Sequence, residues 1–211
     1  MGRIDKLCAY IAPSQTFADV GCDHGYCTLH ALQSGKCEKA IVSDVSEKCL
    51  KKAEKLLKSY IDCGRCVSVC CDGLKKIPRD TAQVLIAGMG GEEIIKILSD
   101  GFIPERFVFQ PMKNAGKLRS FLLSKGCKII ADDAFFDGKI YYVIVGERCG
   151  GSGSYSAAEL AFGKDSVKNP EFKSYAAGEI RKREQYLKGC RRGESFKKIS
   201  EEIALFNEVL K

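Results

Sequence analysis

Four short stretches set acidic residues and glycines at the ends of apolar runs: ADVGCDHGY (18–26), VSDVS (42–46), CDGL (71–74) and GMGG (88–91). An ionised aspartate only accepts hydrogen bonds. Asp44 could accept from both hydroxyls of a ribose, and Asp72 from the exocyclic amine of an adenine. Asp19 closes the first run, Gly73 follows Asp72, and Gly88 and Met89 open the last stretch. Gly21 and Gly25 have no Cβ and let backbone approach a ligand closely. Asp23 and His24 lie between them. The carboxylate could stabilise positive charge developing on a substrate, and the histidine could assist or simply anchor the turn. Each cluster alone is ordinary turn chemistry. Their recurrence at successive run ends favours a binding site.

That recurrence needs a sheet to converge on. Apolar runs at 17–21, 39–44, 66–71, 83–88 and 106–111 read as strands, and the run 83–88 is apolar enough to be covered on both faces. Helical spacing appears in 3–11, 26–34, from Ser46 to Gly64, in 92–99 and in 114–124. The stretch 127–147 carries two apolar strands around Asp137-Gly138, a hairpin signal. Strand–helix alternation predicts a mostly parallel sheet under helices, with ligands beyond the carboxyl ends of the strands. A parallel sheet closed by an antiparallel hairpin is analogous to the Rossmann-like methyltransferase fold. On this topology the strand ends, including Gln110 and Pro111 of the fifth, share one rim. G-x-G-x-x-G is missing, and with it the pyrophosphate fingerprint. A cofactor with ribose and adenine but no pyrophosphate is S-adenosylmethionine.

The chain has 211 residues, is 45% hydrophobic and carries a formal charge of +7. That suits one α/β domain with an appendage and a polyanionic partner, without requiring one. A break at 149–156 (CGGSGSYS) separates residues 1–150 from 151–211. Residues 172–188 and 195–210 read there as an antiparallel helical hairpin joined through GCRRGE. The N-terminus lacks a signal-peptide layout and no apolar run could span a bilayer, so a cytoplasmic protein is expected. Twelve cysteines are expected to be reduced there. Cys63, Cys66, Cys70 and Cys71 do not follow the paired spacing of a zinc site, and no metal is expected.

The stretches ADVGCDHGY, VSDVS, CDGL, IAGMGGEEI and FQP…LR resemble the bacterial tRNA methyltransferases that act on N1 of the adenine at position 22, the TrmK family. The likeness extends from about residue 3 to the C-terminus and includes ELAFG…NPEF (159–163 and 169–172). It departs at Cys22, where Ser is expected, and at GYCT (25–28), where AYLP-like residues are usual. The resemblance implies an α/β fold with a Rossmann-like class I methyltransferase sheet, parallel with a C-terminal antiparallel hairpin, plus a C-terminal α-helical hairpin that helps hold tRNA. It implies cofactor contacts from Asp19, Gly21, Asp23, His24, Asp44, Asp72, Gly73, Gly88 and Met89, with Asp23 as the candidate catalytic group. Lys113, Lys117, Arg119, Arg181, Lys182, Arg183, Lys188, Arg191 and Arg192 are the cations expected on tRNA phosphates. A monomer or weak dimer without membrane contact is expected. The alternatives are a methyltransferase for another RNA, a protein or a small molecule, a non-catalytic nucleotide- or RNA-binding module, and a metal-dependent redox protein resting on the Cys63–Cys71 group.

Overall fold

The computed structural model describes residues 2–151, 153–189 and 191–211. Met1, Ser152 in the break and Cys190 in the helical connection lie outside the described residues. The order is α1 (Arg3–Ala9), β1 (Ser14–Val20), α2 (Tyr26–Gln33), β2 (Cys37–Asp44), α3 (Glu47–Leu56), α4 (Lys58–Asp62), β3 (Cys66–Cys70), β4 (Gln83–Met89) and α5 (Gly91–Asp100). Then come β5 (Arg106–Pro111), α6 (Ala115–Ser124), β6 (Lys128–Asp137), β7 (Lys139–Glu147), α7 (Ala157–Phe162), a 3-10 turn at Ser166–Lys168, α8 (Pro170–Lys188) and α9 (Glu194–Leu210).

Among the described residues one seven-stranded sheet runs in the order β3-β2-β1-β4-β5-β7-β6. Pairing is parallel from β3 to β5 and antiparallel where β7 joins β5 and β6. The chain winds outward from β1 to β3, then returns to place β4 against β1, so the switch point lies between β1 and β4.

Strand periodicity sorts side chains onto two faces. Phe17, Val42, Leu85 and Val108 pack with Leu7, Ala31 and Leu50. Val20, Val84, Ile86, Phe107 and Phe109 pack on the other face with Ile94, Leu98 and Leu118. Val84, Leu85 and Ile86 are wholly buried, as the apolar run 83–88 predicts. The single helix expected from Ser46 to Gly64 is divided at Leu57. The buried Leu57 side chain is directed at Gly25, where a Cβ would come within 3.0 Å of its Cδ1.

A third core joins the hairpin to the C-terminal helices: Ala134 with Phe162, Phe172, Ala176, Ile180 and Phe206, flanked by Phe136 and Tyr142. Tyr175 meets Phe206, and Arg183 meets Glu202, so α8 and α9 run antiparallel. No described helix is long and apolar enough to cross a membrane.

Arg119 is a correction. It was expected on RNA phosphates, but it is completely buried on α6. Its Nε donates to Asp132 Oδ1 at 2.7 Å, and its Nη1 donates to the carbonyls of Leu160 and Ala161. A guanidinium so enclosed is a joint between the sheet and α7, since a buried arginine persists only when paired. Helix α7, which sequence periodicity did not mark, is what covers it.

Candidate active site

The loop after β1 turns twice through left-handed backbone, at Gly21 (φ +73°) and Asp23 (φ +48°), before Gly25 (φ +76°) starts α2. Gly21 and Cys22 donate to the Ser43 carbonyl at 2.8 and 3.0 Å, which fixes this loop to β2. Asp44 reinforces that link. Its Oδ2 accepts from the Asp23 N–H at 3.3 Å and its Oδ1 from the Ser46 N–H at 2.8 Å.

Asp19 shares the face of Phe17 and points under α2. It is buried, and Thr28 Oγ1 donates to its Oδ2 at 2.9 Å. Burial pushes its carboxyl up to about 6; the Thr28 hydrogen bond opposes the shift and the Asp44 charge adds to it. Asp23, in contrast, is 66% exposed, with its carboxylate 3.7 Å from His24 Nε2. His24 stacks on Tyr26 at 5.6 Å and lies 3.4 Å from Lys52 Nζ. The His24 ring thus neighbours the side chains of Asp23, Tyr26 and Lys52.

A β-bulge interrupts β4 at Gly88 (φ +80°), whose N–H donates to the Gln110 side-chain oxygen at 3.2 Å. The bulge re-aims the strand end at the rim. Two cavities open there. The first, about 160 Å³, is lined by Gly21, Asp44, Asp72, Gly73 and Met89 among others. The second, about 460 Å³, is lined by Arg3, Asp19, Asp23, His24, Tyr26, Gly88, Gln110 and Met112 among others. Their border runs between Gly21 and Cys22 on one loop and Gly88 and Met89 on the other. The Met89 methyl lies on Gly21 so closely that a Cβ there would be 2.0 Å from it.

The expected residues therefore line the carboxyl-end rim, divided between two cavities. Asp72 is engaged by Lys75 Nζ at 2.6 Å, and that ammonium holds its carboxyl below the usual range. Arg3, Tyr26 and Thr28 were not anticipated. Thr28 and Arg3 become site residues only through packing, whereas Tyr26, an aromatic following D-x-G-x-D-H-G, had a readable signal. The acceptor set fits S-adenosylmethionine: carboxylates for ribose and amine at the smaller cavity, and buried Asp19 for a cationic end at the larger one. Among the described residues no three His, Cys, Asp or Glu side chains are grouped to hold a metal ion.

The other expected RNA contacts are mixed. Lys117 is paired with Glu92, Lys182 with Glu179, and Arg183 with both Glu179 and Glu202. Arg181, Lys188, Arg191 and Arg192 are exposed, and the Lys113 chain lies along Gly90.

A switch point between β1 and β4, a closing antiparallel hairpin and acidic strand ends define a Rossmann-like methyltransferase. A family model described as a methyltransferase domain matches residues 1–145. A relative from Mycoplasma pneumoniae, whose name proposes a tRNA methyltransferase, is 32% identical over 148 residues, covering 69% of each chain. The crystal structure of a Streptococcus pneumoniae protein with S-adenosyl-L-methionine, proposed there as a tRNA (m1A22) methyltransferase, is 26% identical. It matches with a TM-score of 0.86 over 99% of this chain and 98% of that one. The Bacillus subtilis m1A22 tRNA methyltransferase TrmK shares the fold at a TM-score of 0.84 and 24% identity, over 99% and 97% of the two chains. This chain belongs to the methyltransferase domain family and, within it, to the family of that Mycoplasma pneumoniae relative.

Proposed function

We propose that this protein transfers the methyl group of S-adenosylmethionine to N1 of adenine 22 in tRNA. The observation that carries the reading is the likeness along the entire chain, C-terminal helices included, to the Streptococcus pneumoniae structure with that cofactor. Residues 1–150 form the cofactor-binding part and 151–211 the part that helps hold tRNA. The protein works in the cytoplasm as a monomer or weak dimer.

S-adenosylmethionine supplies an electrophilic methyl on a sulfonium. Asp44 takes the ribose hydroxyls and Asp72 the adenine amine, once Lys75 yields it. Gly21, Gly73, Gly88 and Met89 shape the passage between the cavities, and Met89 moves off Gly21 to join them. N1 of adenine has an in-plane lone pair and is neutral at pH 7, so it needs no base to become nucleophilic. It does need release from base pairing and a place outside the stack. The larger cavity offers that place, with Tyr26 and His24 at its edge. Holding nucleophile and methyl in line is the main catalytic effect. Positive charge develops on the purine, and Asp23, exposed into this cavity, is the group that stabilises it.

The test is calorimetric titration with S-adenosylmethionine, followed by transfer of labelled methyl to total bacterial tRNA. Binding together with label in 1-methyladenosine supports the reading. Binding without transfer to any RNA would favour a small-molecule or protein substrate.

A further inference from the structure

Four of the nine cations expected to bind RNA, Lys117, Arg119, Lys182 and Arg183, are paired with carboxylates, and a further basic group that was not expected lies nearer the larger cavity. Arg3 on α1 lines the larger cavity beside Asp23, His24 and Tyr26. Its guanidinium lies over the Tyr141 ring, 5.4 Å from the centroid, and Lys139 Nζ lies over the same ring at 5.2 Å. Tyr141 stacks on Phe135 at 5.4 Å. Among the described residues neither Arg3 nor Lys139 has a carboxylate at ion-pair distance, and both are exposed. Two cations over one ring repel each other, and a ring face compensates each only in part. A phosphate would compensate both.

The patch is also held in place. Lys6 Nζ donates to the Phe136 carbonyl at 2.6 Å, and the Tyr10 hydroxyl donates to Asp133 at 2.8 Å. Both bonds tie α1 to the β6–β7 hairpin. Phe136, on the opposite face of the hairpin, meets Tyr175 of α8 at 5.6 Å. The patch itself occupies the face that carries Phe135 and Tyr141, from the cavity mouth to the hairpin.

We propose that the tRNA strand flanking the target adenosine crosses this patch, its phosphates held by Arg3 and Lys139. The proposal rests on the reading of the chain as a tRNA methyltransferase. The target base enters the cavity while the backbone on one side of it runs along the hairpin. Arg3 could alternatively hold the carboxylate of the cofactor, and the two sources of negative charge are separable.

The experiment measures tRNA affinity without cofactor, between about 50 and about 200 mM salt, for wild type, Arg3→Ala, Lys139→Ala and the double variant. Cofactor affinity is measured in parallel. Each single variant is expected to weaken tRNA binding several-fold and the double variant at least about tenfold. The slope of log affinity against log salt should fall by about 0.7–0.9 for each cation removed. Lys139→Ala should bind S-adenosylmethionine as wild type does, which also reports an intact fold. A double variant with unchanged tRNA affinity and slope overturns the proposal, as does an Arg3→Ala that loses only cofactor affinity. Wild-type protein that binds no tRNA overturns the functional reading, and this surface with it.

Discussion

Asp19 near the end of β1 and Asp23 in the loop after it are carboxylates in opposite surroundings. Asp19 is buried and its carboxyl titrates at about 6 rather than near its ordinary 3.8. Folding therefore favours its protonated form. The associated stability is complete below about pH 4 and is lost as pH rises to about 6, a loss of about 3 kcal/mol. Denaturant unfolding across that window should show the decline in wild type and a flatter profile in Asp19→Asn. Asp23 is exposed into the larger cavity, where we propose that it stabilises the target base. Asp23→Ala should keep cofactor affinity within about threefold while methyl transfer falls by about 10²-fold or more. If the variant binds cofactor normally and transfers at the wild-type rate, Asp23 has no catalytic part.

Beside the apolar core that joins the hairpin to the C-terminal helices lies one buried ion pair. Asp132 receives Arg119, the Lys164 N–H and, through its backbone, Asp165 and Ser166. Arg119→Ala leaves that carboxylate buried without its partner and should cost about 3–5 kcal/mol in equilibrium unfolding. Helices α5 and α6 meet as closely at Gly91, where a Cβ would lie 2.4 Å from the Asn114 carbonyl oxygen. Gly91→Ala should cost about 1–3 kcal/mol by overpacking, read in the same assay. These two sites mark what sequence patterning could reach. The strands were legible because apolar runs such as 83–88 admit few other readings, and the carboxylates at their ends followed from topology. Arg119 was misread because helical spacing does not say which face a later segment covers, and the covering segment, α7, spans only Ala157–Phe162. Arg3 and Tyr141 are far apart in sequence, so nothing local linked them. The division of the rim by Met89 likewise depends on a packing contact.

The whole molecule combines a strand-end rim, an aromatic-basic hairpin and a helical pair, with net charge +7. Phosphate contacts should make tRNA binding strongly salt-dependent, with log affinity falling by about 0.7–0.9 per contact for each unit of log salt. A flat profile in a filter-binding series would argue against an RNA substrate. The central claim concerns a single atom of a single base, and nucleoside mapping reaches it directly. The protein is incubated with S-adenosylmethionine and a tRNA transcript carrying adenine at position 22, and with the same transcript carrying guanine there. The expected result is 1-methyladenosine at position 22 of the first and no methylation of the second. Equal methylation of both transcripts, or label on another base of the first, would contradict it.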